Sequence, residues 1–270
     1  MRHNFFLLIC LLGSCFGAVQ AQQSSVGITP ASVDARVKRG ASYTQTFTIA
    51  NKTGAALKFR SSVQDIWYDE QNKRVTGRPG TLQRSASTWI QFTPTEFIVE
   101  NNASATVKAV ITVPLSAAGS FYAVPVFEGT PVDKPVTQAN VSTASIGIRF
   151  RGLIMLTTDE GAEYNIEIIA GKVSPPTAST ELELNLDLHN RGTAHAKLRG
   201  AFAILNAAGA LAGRGNFTEK RLFPAQRNFI QTKWAGELLP GKYVCIVTLS
   251  YDRIGTDPTS IVYEMPFEVK

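Results

Sequence analysis

Apolar and polar residues alternate with a period of two along most of this chain. In residues 42–49 the apolar positions are Tyr43, Phe47 and Ile49, and in residues 106–113 Val107, Ala109, Ile111 and Val113 share one face, with Val110 the one apolar residue on the other. Residues 181–188 are the cleanest case: Leu182, Leu184, Leu186 and Leu188 share one face, and acidic or amide groups share the other. Alternation of this kind predicts strands with one buried face, with the intervening polar groups turned to water. Turn residues close the runs about every eight to twelve positions, as at Asn51-Lys52-Thr53-Gly54, Asn101-Asn102 and Asn190-Arg191-Gly192-Thr193. No window of about 11 residues sustains a helical face. The predicted class is all-β.

Residues 87–94, 96–99 and 119–124 read as consecutive strands of an immunoglobulin-like sandwich. The second half repeats the grammar of the first. Asn190-Arg191-Gly192-Thr193 mirrors Asn51-Lys52-Thr53-Gly54, and Pro240-Gly241-Lys242-Tyr243 mirrors Gly119-Ser120-Phe121-Tyr122. In each pair a glycine turn launches a strand whose early tyrosine, Tyr122 or Tyr243, is placed to cap a sandwich as a tyrosine corner. The prediction is two immunoglobulin-like sandwiches in tandem, residues 22–158 and 159–270, meeting near residues 157–161. Residues 128–143 read as a long loop, because Pro131 and Pro135 interrupt pairing; it is either a recognition loop or a passive connection. Residues 144–156 read as a long strand after it.

The first 21 residues have the parts of a secretory signal: Arg2 and His3, an apolar run from Phe5 to Phe16, and Val19-Gln20-Ala21 before the cut. The run is too short to cross a bilayer, which takes about 20 residues. Leu12-Gly13-Ser14-Cys15 is a looser match to a lipidation site. Cleavage after Ala21 leaves Cys245 alone of the 3 cysteines, so the mature fold cannot rest on an internal disulfide. No later segment is apolar enough to span a membrane, so no integral membrane segment is expected in the mature chain. These features predict periplasmic export. The formal charge of +6 is spread along the chain. Without a basic stripe interleaved with aromatics, nucleic acid is not an expected partner.

Candidate chemistry is sparse. His189 and His195 flank a turn with no third ligand near in sequence, so they read as surface histidines and no metal site is expected. Asp65 and Asp69 flank Trp67 and Tyr68, which is either a carboxylate pair in a sugar cleft or a polar strand end. No Gly-x-Ser-x-Gly elbow occurs. Gly209 to Gly215 is glycine-rich, but with no helix after it the segment marks a hairpin or a bulge rather than a phosphate loop. The expectation is no enzyme and no cofactor.

Trp89-Ile90, Pro94, Phe97, Val113-Pro114, Gly119 and Tyr122, followed by a long basic strand, resemble the first domain of PapD-like periplasmic chaperones of pilus assembly. Ile28-Thr29-Pro30-Ala31, with Gly40 and Asn51, is also similar to the N-terminal domain of WxL-interacting surface proteins. The likeness covers about residues 26–157. It implies an exported subunit, pilin-like in kind, as partner. In that family an arginine on the first strand and a lysine on the last strand of the first domain hold a subunit's terminal carboxylate. Arg151 falls near the lysine position and Ser32 at the arginine position, with Arg36 four residues later, so half of that clamp is missing or displaced. On the last strand Ala144, Ile146, Ile148, Phe150 and Ile154 should face the core. Val141, Thr143, Ser145, Gly147, Arg149 and Arg151 should face out, a row too small and polar to donate a strand well. Arg149 and Arg151 are therefore the candidate partner-binding residues, or else ordinary exposed groups. The resemblance implies a chaperone-like protein; the alternative is a secreted or cell-surface interaction module without chaperone activity.

Overall fold

The computed structural model describes residues 25–132, 147–253 and 256–270. The signal segment, residues 133–143 of the expected loop and the start of the strand expected over 144–156 lie outside these. Apart from one 3-10 turn at Ser87–Trp89, the regular structure of the described residues is all strand.

Residues 25–132 and 147–158 form the first sandwich. One sheet contains β1 (Ser25–Thr29), β3 (Ser42–Lys52), β8 (Ala103–Thr112) and β6 (Ile90–Thr93), side by side in that order. The other runs β2 (Ser32–Val37), β11 (Leu153–Thr158), β9 (Ser120–Pro131), β4 (Leu57–Tyr68) and β5 (Arg74–Gly77). In that sheet β7 (Glu96–Val99) also pairs with β4, and β10 (Ile148–Arg151) also pairs with β9. Between the inner faces lie Phe47, Phe59, Val107, Ile111, Phe127, Ile154 and Leu156.

Residues 166–253 and 256–269 form the second sandwich. Its smaller sheet is β12 (Ile166–Ser174), β13 (Leu182–Asn190) and β16 (Arg227–Trp234). The larger is β15 (Leu211–Leu222), β14 (Ala196–Asn206), β17 (Gly241–Arg253) and β18 (Thr256–Val269), in that order. The four leucines of β13 are all fully buried and pack against Phe202, Ile204, Cys245 and Val247. Burying a Leu side chain contributes about 2 kcal/mol, so this one strand is a principal source of the second core. Burial also pushes the Cys245 thiol up to about 12, which keeps it protonated and inert.

Several expectations change. Residues 87–94 are not one strand: Ser87–Trp89 makes a 3-10 turn, and Trp89 lies half-buried on Phe121, ring centroids 4.6 Å apart. β6 and β7 then join opposite sheets, the chain passing from one to the other at the bend Pro94-Thr95. The loop expected over 128–143 begins later, since Pro131 closes β9 opposite Leu57 instead of interrupting it. The last strand of the first sandwich runs on to Thr158.

The two tyrosines part company. The Tyr243 hydroxyl donates to the Leu239 carbonyl at 2.8 Å, four residues upstream, which is a tyrosine corner. Tyr122 faces away from its own core, into the junction between the sandwiches.

Candidate partner-binding site

The first strand of the first sandwich is split. β2 lies parallel beside β11, with Ser32 opposite Leu153 and Val37 opposite Thr158. At the cis Thr29–Pro30 bond the chain crosses to the other sheet, where β1 pairs with β3. β10 continues the line of β11 in the same register on β9. The crossover therefore leaves β10 with β9 on one side and, among the described residues, no strand on the other. Its main-chain N–H and C=O groups on that side are the kind of template to which another strand adds.

The side chains along this opening match the expected division. Ile148 and Phe150 turn inward and are half-buried against the core, and so are Val26 and Ile28 on β1 across the gap. Arg149 and Arg151 turn outward and are exposed. The two arginines differ in their surroundings. Arg149 stands opposite Glu128 on β9 and forms an ion pair with it. Arg151 stands opposite Val126 and makes no ion pair or hydrogen bond among the described residues. Ser32 is exposed and lies opposite Leu153, two residues beyond Arg151. Arg36 lies further along β2, its Nε 3.9 Å from Asp159. The structure thus does not bring Arg36 beside Arg151.

The outward row of β10 and β11 leads from Arg149 and Arg151 through Leu153 to Met155, and there the second sandwich covers it. Ile66, Tyr122, Val124, Val126, Met155 and Phe223 form a separate buried cluster, with Phe223 supplied by the second sandwich. The Phe223 ring lies 4.8 Å from Tyr68 and 4.9 Å from Tyr122 between centroids.

Beside this cluster is a polar group that the sequence reading missed. His195 is buried, contrary to its reading as a surface histidine. Its Nε2 lies 3.2 Å from both carboxylate oxygens of Asp34, and its Nδ1 lies 3.4 Å from the Tyr122 hydroxyl. Arg221 donates to the same Asp34 carboxylate at 3.1 Å. Burial alone would raise the Asp34 carboxyl, but His195 and Arg221 outweigh it and hold the carboxyl below its usual value. The Tyr122 phenol, fully buried, is pushed well above its usual value by desolvation. Backbone groups close the junction: Ser120 N–H donates to Thr193 O at 2.9 Å, and His195 N–H to the Ser120 hydroxyl at 3.0 Å. Gly119, at φ +94, is required here, because a Cβ would sit 2.4 Å from Thr193 O.

The remaining candidates are structural. Asp65 is fully buried and accepts hydrogen bonds from the backbone of the loop that follows β5. Asp69 accepts from the Gln71 and Lys73 N–H groups and shapes the turn between β4 and β5. They are not a facing pair across a cleft. Asp187, expected to face water, is buried beneath an ion pair with Arg227. Among the described residues no group of three His, Cys, Asp or Glu side chains converges as a metal would need, and no helix is long and apolar enough to cross a membrane.

No protein-family model matches the chain, and no curated protein does. Among solved structures the chain is similar to one from the chaperone–tip adhesin complex of CFA/I fimbriae. Identity is 14%, with a TM-score of 0.48 over 89% of this chain and 98% of that one. It is also similar to the E. coli chaperone DraB, at 16% identity and a TM-score of 0.43, over 92% of this chain and 98% of that one. A third is the CsuC-CsuE chaperone-tip adhesion subunit complex of Acinetobacter baumannii, at 10% identity and a TM-score of 0.44, over 88% and 98%. The likeness to PapD-like fimbrial chaperones is one of architecture and spans about nine-tenths of this chain.

Proposed function

We propose that this protein is a periplasmic, non-enzymatic chaperone-like protein that holds exported pilus or surface-fibre subunits by receiving a partner strand at β10. In this reading the two units are residues 22–158 and 159–270, and the first carries the receiving edge. One observation carries it: among the described residues the crossover of the first strand leaves β10 open, above half-buried apolar side chains that a further strand would cover. Two other edges carry devices that discourage strand addition. β12 has a bulge between Ile168 and Ala170, and β18 contains Pro258 and Pro266. β10 has neither a proline nor a bulge.

The test is co-expression with an exported fibre subunit. A one-to-one complex is expected, with amide exchange slowed at Ile148–Arg151 relative to the free protein. A complex that leaves these amides unprotected would overturn the reading. Arg151→Ala should weaken capture by about 2–5 kcal/mol if its guanidinium pairs with a carboxylate in the interface. Its effect on folding should stay within about 0.5 kcal/mol, as for other exposed positions. Pull-down at matched salt and a urea melt of the two proteins give both numbers.

A second reading, a surface or secreted interaction module without a chaperone cycle, is favoured by the engagement of Arg149 with Glu128 and by serine at position 32. Under it the partner stays bound in the finished assembly, whereas a chaperone releases its subunit.

A further inference from the structure

We infer that the strand received by β10 carries two acidic side chains two residues apart, with apolar residues between and beside them. This rests on the reading of β10 as a receiving edge and specifies what it receives. On the outer face of the sheet, Glu96 of β7, Arg60 of β4, Glu128 of β9 and Arg149 of β10 stand directly opposite one another in register. The row alternates in sign across four strands and ends in a cation at the open edge. Neighbouring strands lie about 4.8 Å apart, so each charge faces its opposite at close range. Lys58 strengthens the far end, with Nζ 2.9 Å from Glu96. The next step of the row, on an added strand, calls for a carboxylate. Arg151, which makes no ion pair among the described residues, begins the following row with a cation at the same edge, and it calls for a second carboxylate two residues along. Opposite charges across a strand pair favour pairing, and like charges oppose it.

The inward positions set the rest of the code. Alternate residues of the added strand would turn toward Ile148 and Phe150 and toward Val26 and Ile28 across the gap. All four are half-buried and packed on the core, so apolar side chains suit these positions. The same charges argue against a second copy of this chain as occupant. Antiparallel pairing of β10 with itself about Phe150 would set Arg149 against Arg151 twice. The occupant is therefore a strand of another protein, alternating apolar and acidic.

Three fluorescent ten-residue peptides test this on the mature full-length protein: alternating Val-Glu, Val-Thr and Val-Lys. Anisotropy should give binding of Val-Glu at least tenfold tighter than Val-Thr, with Val-Lys weaker still. Amide exchange should slow at Ile148–Arg151, and the preference should shrink as salt is raised. In the Arg149→Glu/Arg151→Glu variant the order should invert. If that variant fails to fold because the Glu128 pair is lost, Arg151→Glu alone, which breaks no ion pair among the described residues, should bring Val-Glu and Val-Thr to within threefold. Equal binding of all three peptides with β10 protected would overturn the acidic code and leave strand addition standing. Failure of Val-Glu to bind would overturn the inference. So would a dimer of the protein alone that protects β10. Failure of strand addition itself would instead appear as a subunit complex with β10 unprotected.

Discussion

Asp65→Asn is expected to lower the stability of the first sandwich by about 3 kcal/mol at neutral pH, from the loss of hydrogen bonds to a buried charge worth about 1.5–3 kcal/mol each. The carboxylate is fully buried and accepts from the N–H groups of Gly80 at 3.1 Å, Thr81 at 2.7 Å and Leu82 at 2.8 Å, and from the Ser85 hydroxyl at 2.5 Å. All four donors converge on two oxygens. A carboxamide replaces one oxygen with a donor, so either Gly80 and Ser85 or Thr81 and Leu82 lose their acceptor. Burial on its own would raise the carboxyl. The Leu82 N–H, the Ser85 and Ser87 hydroxyls and the Gly80 N–H outweigh it and hold the carboxyl below its usual value. A lowered carboxyl contributes stability that is present above its unfolded value, about 4, and lost as pH falls through its folded value. Urea unfolding at pH 7 and near pH 3 should show a smaller acid loss in the variant than in wild type. Equal losses in the two proteins would remove Asp65 from this role.

What the sequence made legible follows from what alternation measures. A period of two reports which side of a strand is buried, and it was a sound guide for the four leucines of β13 and for Ile148, Phe150 and Ile154. It does not report what lies over the outer face. Asp187 sits on a polar row and reads as solvated, yet Arg227 from the neighbouring strand lies across it. Trp89 sits in an apparent strand, but the pattern cannot distinguish a short strand from a one-turn connection between sheets.

The candidate site was legible in part for the same reason. The outward placement of Arg149 and Arg151 is a matter of parity along one strand. That Arg149 is engaged and Arg151 is not depends on which residue of β9 lies opposite, which is fixed only when the sheet forms. The junction gave no local signal at all. Asp34 and His195 are separated by 161 positions, one in a short strand and the other beside a turn. Their meeting is a property of how two sandwiches dock. Tyr122 misled for a related reason: a tyrosine early in a glycine-launched strand resembles a corner, but a face covered by a second domain accepts the ring elsewhere.

Phe223→Ala should uncouple the two sandwiches without unfolding either. The ring is buried and touches Tyr68, Tyr122 and His195, with centroids 4.8, 4.9 and 6.2 Å away. Truncating a buried Phe costs about 3–5 kcal/mol, but here the loss falls on a cluster separate from both sandwich cores. What survives at the junction is mainly polar and includes the Asp34 contacts, the His195 contacts with Ser120 and Tyr122, the Ser120–Thr193 backbone bond and a hydrogen bond from Asn72 to Arg227 O at 2.6 Å. Water competes for each of these once the ring no longer shields them, and a net hydrogen bond contributes only about 1 kcal/mol. The expected calorimetric result is one cooperative transition in wild type and two in the variant, with X-ray scattering showing a wider spread of interdomain angles. Receipt of a strand at β10 should persist, because Ile148 and Phe150 rest on the core of the first sandwich. A variant that melts in one transition within about 1 kcal/mol of wild type, near the average for point substitutions, would show that the polar contacts alone hold the two sandwiches together.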